Sequence, residues 1–127
     1  MKKLNLVLIV DDDEISNYVT TVTIQHFHEY AEIKTALNGV EAMNFFLQNP
    51  ENVPEIIFLD INMPLMNGFE FLDWYESSVF NGTTKICMLT TSVSRDDKEK
   101  AGEYADVIDY IEKPLKYESI NELLVKL

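Results

Sequence analysis

Four short stretches of the chain place reactive side chains directly after apolar runs. Asp60 closes the run Ile56-Ile57-Phe58-Leu59 and is followed by Ile61-Asn62-Met63-Pro64 and the turn signal Asn67-Gly68. Asp11-Asp12-Asp13-Glu14 ends the run that opens at Leu4, Thr90-Thr91 ends the run Ile86-Cys87-Met88-Leu89, and Lys113-Pro114 follows Tyr110-Ile111-Glu112. If these groups meet, their chemistry is definite. Two or three carboxylates within a few ångströms repel one another, and a divalent cation that prefers oxygen ligands, above all Mg²⁺, would hold them together. A carboxylate kept ionised can attack phosphorus and form an aspartyl phosphate. An ammonium and a hydroxyl, here Lys113 and Thr90, would stabilise the equatorial oxygens of the transferring phosphoryl group.

Whether they meet depends on the elements that carry them. Continuous apolar runs closed by turn signals predict fully buried strands of a parallel sheet, here Leu4–Val10, Ala31–Ala36, Pro54–Asp60, Lys85–Thr90 and Asp106–Ile111. Helical spacing lies between them. Ile15, Tyr18, Val19, Val22, Ile24 and Phe27 mark the first helix, and acids ahead of it suit its positive end. Val40, Met43, Phe46 and Leu47 mark a second helix that ends near Asn49-Pro50. Phe69–Ser77 carries Phe69, Leu72 and Tyr75 or Trp74. Arg95–Tyr104 is charged with a narrow apolar stripe, and Ser119–Leu127 closes the chain. Strand and helix alternate five times, which predicts an α/β fold: a doubly wound, five-stranded parallel sheet with five helices. In the common strand order 2-1-3-4-5, strands one and three are neighbours at the switch point where such sheets bind ligands. Asp11, Asp12, Asp13 and Asp60 then converge, with Thr90 and Lys113 beside them. Strand two ends in Leu37 and brings no chemistry.

Composition narrows the class. A length of 127 residues suits one domain with a core of its own. Ten Lys and Arg against 22 Asp and Glu give a net charge of −12, which argues against a nucleic-acid or anionic-membrane surface. The lone Cys87 sits inside an apolar run and reads as a small core residue in a reducing compartment. No stretch approaches the length of a membrane span. The residues Met1-Lys2-Lys3 lead into a run too soon ended by acids to be a signal peptide. A cytoplasmic protein is expected.

The four motifs together resemble the receiver domains of two-component response regulators. The resemblance rests on Val10-Asp11-Asp12, Leu59-Asp60-Ile61-Asn62-Met63-Pro64 with Gly68, Leu89-Thr90, and Tyr110 with Lys113-Pro114, and it spans essentially residues 1–127 as one receiver domain. It implies a flavodoxin-like fold of the single-domain, chemotaxis-regulator kind. It implies Asp60 as phosphoacceptor, with Asp12 ligating Mg²⁺ (or Mn²⁺) directly and Asp11 largely through water. Asn62 would give the metal its backbone carbonyl. Thr90 would bond the phosphoryl group and turn inward, Tyr110 would follow by switching rotamer, and Lys113 would pair with the phosphate. The bond before Pro114 would be cis. The implied donor is a histidine kinase or a histidine phosphotransfer protein. The chain would be a phosphoacceptor rather than an enzyme. The implied state is a monomer, with a phosphorylation-dependent dimer as the alternative. No output domain is expected after Leu127, so the signal would leave by docking on a separate target protein.

The chain departs from that pattern in a few places. Asp13 and Glu14 extend the acidic pair, and residue types do not say whether Asp13 reaches the metal. Thr91 is larger than the Ala often found there. Two other readings compete: a small Mg²⁺-dependent phosphohydrolase with an aspartate nucleophile, of the haloacid dehalogenase type, and a receiver-like binding module that never meets phosphate. His26 and His28 are expected on the surface near the negative end of the first helix. Phe45, Phe46, Phe69, Phe71 and Trp74 are expected in the core and on helix faces.

Overall fold

A computed structural model describes residues 4–127 of the chain; Met1-Lys2-Lys3, and with them the signal-peptide reading, lie outside the described residues. The elements are β1 (Leu6–Val10), α1 (Glu14–Phe27), β2 (Glu32–Ala36), α2 (Gly39–Gln48), β3 (Ile56–Leu59), α3 (Gly68–Ser77), β4 (Lys85–Thr90), α4 (Arg95–Ala101), β5 (Val107–Glu112) and α5 (Tyr117–Lys126). The strands form one parallel sheet in the order β2-β1-β3-β4-β5. This is the doubly wound arrangement that the alternating pattern predicts.

Both faces of the sheet are covered, so the central strands are apolar on both sides. Leu8, Val10, Ile57, Leu59, Ile86 and Met88 point to one layer, where they meet Ala42 and Phe46 of α2, Phe71, Leu72 and Tyr75 of α3, and Ala101 of α4. Their neighbours Val7, Ile9, Ile56, Phe58, Cys87 and Leu89 point the other way, onto Ile24 of α1 and Ile120, Leu123 and Leu124 of α5. The alternation is the two-residue period of a strand. β2 lies at the edge, and of its residues only Ala36 is buried. Among the described residues no helix is long and apolar enough to cross a membrane.

Helix starts follow from their caps. Asp13 accepts from the backbone of Ile15 and Ser16 at 3.0 and 3.2 Å, satisfying donors that the first turn leaves open. Asn38 caps α2 through Glu41 N at 2.9 Å. Asn67 and Glu70 form a reciprocal capping box at the start of α3. β4 coincides with the sequence reading, and the other strand and helix ends lie within three residues of it. The largest shift is α4, which stops at Ala101 with Gly102 as its cap. Tyr104 then lies beyond the helix, stacked on Phe69.

Two expectations are corrected. Of the apolar residues that mark α1 in the sequence, all but Ile24 lie on its outer face: Ile15 is 76% exposed, Tyr18 70%, and Val19, Val22 and Phe27 are exposed too. The buried face is Asn17, Thr20 and Ile24. α1 carries two stripes, and the polar one wins because the Asn17 amide donates to the backbone oxygen of Asp11 at 2.9 Å while Ile24 fills the layer shared with α5. The second correction is His28. It caps α1 from a buried position, its N–H bonded to Ile24 O at 2.9 Å, whereas His26 stays exposed with its ring against Phe27 and Tyr117.

Candidate functional site at the carboxyl ends of the strands

The sheet's hydrogen-bonding extends one residue past the strands, and this sets the site. Asp11 N donates to Ala36 O at 3.0 Å, Asp60 N to Val10 O at 2.9 Å, and Lys113 N to Thr90 O at 2.9 Å. The two acids and the lysine are therefore held on paired backbone. A register shift between β4 and β5 at Ile86/Cys87 sets Met88 opposite Tyr110 and Thr90 opposite Glu112, one residue before the lysine.

The side chains converge as that backbone dictates. Lys113 Nζ donates to Asp11 Oδ2 and, at 3.2 Å, to Asp60 Oδ2. Asp60 Oδ1 accepts from Ile61 N at 2.8 Å. Carboxylate oxygens of Asp11, Asp12 and Asp60 lie within 4.8 Å of one another, with Asp11 and Asp60 buried and Asp12 exposed. Asp13 stands outside this set because its carboxylate caps α1. Three oxygen donors from two buried acids and one exposed acid are a ligand set suited to a hard divalent cation with water on its open side.

Electrostatics match this crowding. Burial raises the pKa of Asp60 above the ordinary 3.8. The Thr90 side chain and the Lys113 charge oppose the rise, and the Asp11 charge adds to it. For Lys113 burial alone would lower the pKa, but the Asp11 bond and the charges of Asp60 and Asp11 outweigh it, and the ammonium is held above 10.5. One cation is thus shared by two buried carboxylates.

The loop after β3 is shaped to present Asp60. Gly68 N donates to Ile61 O at 2.8 Å, folding the start of α3 behind the acid. A Cβ on Gly68 would stand 2.3 Å from the Asp60 carbonyl oxygen, so no other residue fits without moving that backbone. Met66 N reaches Pro64 O at 2.7 Å around Leu65, whose φ of 67° is a strained γ-turn for a non-glycine residue. Asn62 is exposed in this loop.

Thr90 is fully buried at the end of β4. Its hydroxyl accepts from Ser92 N at 3.2 Å, while half-buried Tyr110 donates its hydroxyl to Ser92 O at 3.0 Å. The Lys113–Pro114 peptide is cis. The structure thus gathers Asp11, Asp12, Asp60, Thr90 and Lys113 at one rim, with Tyr110 joined to it through Ser92. Sequence reasoning missed Asn17 and Ser92. A polar residue on the inner period of α1 is the only signal for Asn17, and no residue pattern signals Ser92.

Comparison with known proteins agrees with this geometry. Residues 7–125 match the response regulator receiver domain. The chain is 30% identical over 118 residues to the chemotaxis protein CheY of Halobacterium salinarum, covering 93% of this chain and 92% of that protein. It is 30% identical over 128 residues to the hybrid signal transduction histidine kinase L of Dictyostelium discoideum, 98% of this chain but 7% of that kinase. It likewise spans only 44% and 51% of two bacterial response regulators. Among solved structures, a two-component response regulator from Cytophaga hutchinsonii superposes with a TM-score of 0.91 at 32% identity, covering 98% of this chain and 97% of the other.

Proposed function

The chain belongs to the response regulator receiver domain family, and on that premise we propose that it accepts a phosphoryl group on Asp60 and passes the change to a separate protein. The observation that carries the reading is the Asp60 carboxylate, buried at a strand end, 3.2 Å from Lys113 Nζ and within reach of the Asp11 and Asp12 oxygens. An Asp60 oxygen attacks phosphorus, the bond from phosphorus to the donor breaks, and the donor nitrogen or oxygen leaves with its electron pair. A phosphohistidine on a kinase or a phosphotransfer protein is the donor of matching chemistry.

Asp11, Asp12 and Asp60, with the Asn62 carbonyl, would hold Mg²⁺ or Mn²⁺, which when bound supplies positive charge beside the incoming phosphoryl oxygens. Lys113, already shared between Asp11 and Asp60, moves its hydrogen bond from the acceptor carboxylate to a phosphoryl oxygen. Thr90 donates to another. Because Ser92 joins Thr90 and Tyr110, drawing Thr90 inward tightens Tyr110 against the loop after β4, and the surface of β4, β5 and α4 becomes the output. The protein is a phosphoacceptor with at most slow loss of its own phosphoryl group, acting as a cytoplasmic monomer or a phosphorylation-dependent dimer, without nucleic acid or membrane as partner.

Intact mass after incubation with acetyl phosphate tests the reading, on wild type and Asp60→Asn, with and without Mg²⁺. One added phosphoryl group that needs Mg²⁺ and is lost in the variant is expected. Labelling that persists in the variant would overturn the assignment of Asp60. No labelling from acetyl phosphate or from a phosphorylated histidine kinase would favour the binding-module reading, and steady turnover of a simple phosphate ester would favour a phosphohydrolase.

A further inference from the structure

Resting on the reading of Asp60 as phosphoacceptor, we propose that Asp97 of α4 is a positioning residue for phosphoryl recognition, acting by holding Ser92, which joins Thr90 to Tyr110. Ser92 uses every polar group it has. Its N–H donates to the Thr90 hydroxyl at 3.2 Å, and its carbonyl accepts from the Tyr110 hydroxyl at 3.0 Å. Its own hydroxyl accepts from Ser94 N at 3.3 Å and donates to Asp97 Oδ2 at 2.7 Å. The last bond is short and ends on a carboxylate, the kind roughly twice as strong as a neutral pair.

Little else fixes α4 to this loop. The helix has seven residues, and only Ala101 is buried. Its start is capped by Ser94, which accepts from Asp97 N at 3.3 Å. Asp97 therefore bonds the loop twice, through its backbone to Ser94 and through its side chain to Ser92. An acid that merely suits the helix dipole would do as well at Asp96, which shares the first turn. The bond to Ser92 belongs to Asp97. Beside it, Ser92, Val93, Ser94, Lys98, Tyr110 and Glu112 line a cavity of about 180 Å³. That space gives the Tyr110 ring and the loop somewhere to go once the tie is broken. Intact, the tie keeps Ser92 where Thr90 faces Asp60, so the site is preset for a phosphoryl group before one arrives.

The test uses beryllofluoride with Mg²⁺ as the phosphoryl probe on the full chain. Affinity and the Tyr110 ring signal by NMR are followed in wild type, Ser92→Ala, Asp97→Ala, the double variant, Ser92→Thr and Asp97→Asn. Each alanine variant should weaken the probe about 3- to 10-fold, less than the full loss of a charge-assisted hydrogen bond because the tie acts on the probe only through Ser92, and should broaden or shift the Tyr110 signal. The double variant should be no weaker than either single one, because both remove the same bond. Ser92→Thr should bind as wild type does, and Asp97→Asn, which keeps an acceptor, should fall between. Single effects that add in the double variant, or wild-type affinity with an unmoved Tyr110 signal in Asp97→Ala, would overturn the proposal. If wild type itself fails to bind the probe, the phosphoacceptor reading falls and this inference with it. Wild-type binding with unaffected Asp97 variants defeats this inference alone.

Discussion

The two ends of the sheet hold similar polar groups and use them in opposite ways. Near the amino ends of β4 and β5, the Tyr75 hydroxyl lies 2.7 Å from Asp106 Oδ2 and 3.1 Å from Thr84 O, and it accepts from Thr84 N at 3.1 Å. Gly82 N donates to the same Asp106 oxygen at 2.7 Å, and the Thr84 hydroxyl to Pro54 O at 2.8 Å. These groups answer one another. At the carboxyl ends, Asp11 and Asp60 share one ammonium, Lys113, Asp12 lies beside them with no such partner among the described residues, and the Asp60 pKa is raised by burial. A network that closes on itself stabilises the fold. A cluster left short of positive charge has room for a further cation.

Asp60→Asn breaks this contrast most sharply. Labelling should be abolished, yet stability at neutral pH should rise, because a charge that burial disfavours is removed while Lys113 keeps its Asp11 partner. The sign follows from linkage. The folded chain holds the Asp60 proton more tightly than the unfolded chain, so wild-type stability falls as pH rises from 3.8 through the raised folded value. The variant lacks that loss. The gap between the two, read by thermal unfolding, should be widest near pH 7 and close below 3.8. A variant less stable than wild type at pH 7 would contradict the account of the site as electrostatically strained.

Tyr75→Phe is the matching change at the closed end. It leaves Thr84 N buried without a partner and strips a donor from Asp106, at a cost of about 1–3 kcal/mol. Labelling of Asp60 should keep the wild-type rate. The phenol pKa is pushed up to about 12 by burial and by the Asp106 bond. Wild type should therefore lose stability from pH 10 to about 12 through this group, and the variant should lack that part of the slope. A slowed labelling rate would show that the two ends are coupled.

Much of this contrast was legible in the sequence, but unevenly. The rim was readable because four apolar runs each end in a chemical group, and a parallel sheet brings strand ends together whatever the loops do. The acidic run is the instructive case. Asp11, Asp12 and Asp13 are one residue type in a row, and residue type could not separate two that converge on Asp60 from one that caps a helix. Backbone direction does. The closed end was not legible at all, since Tyr75, Thr84 and Asp106 are distant in sequence and of unremarkable type. Ser92 escaped for the same reason, because two of its bonds use its backbone.

Asp13→Ala turns that division of labour into a measurement. Loss of the cap should cost about 1 kcal/mol, the usual size for an Asp at this position. Mg²⁺ affinity, followed by competition with a metal indicator, should stay within about twofold of wild type, the limit for a group outside the ligand set. A larger loss of metal binding would put Asp13 in the site after all.

The smallest expected effect concerns α1, where the sequence pattern and the fold disagree. If Ile15, Tyr18, Val19 and Val22 faced the core, replacing Val22 by a polar residue would cost as much as a core truncation, about 2 kcal/mol or more. The structure leaves Val22 45% exposed and buries Ile24 completely. Val22→Ser should therefore shift stability by no more than about 0.5 kcal/mol, the range of ordinary surface changes. Ile24→Ala, two positions on, should cost about 2–5 kcal/mol. The two substitutions remove apolar side chains from the same helix, so helix propensity cannot account for so wide a gap; only the face can. A Val22 effect as large as that of Ile24 would mean that the apolar stripe, and not the Asn17 bond to Asp11, decides how α1 sits on the sheet, and the support given to the acidic loop would have to be sought elsewhere.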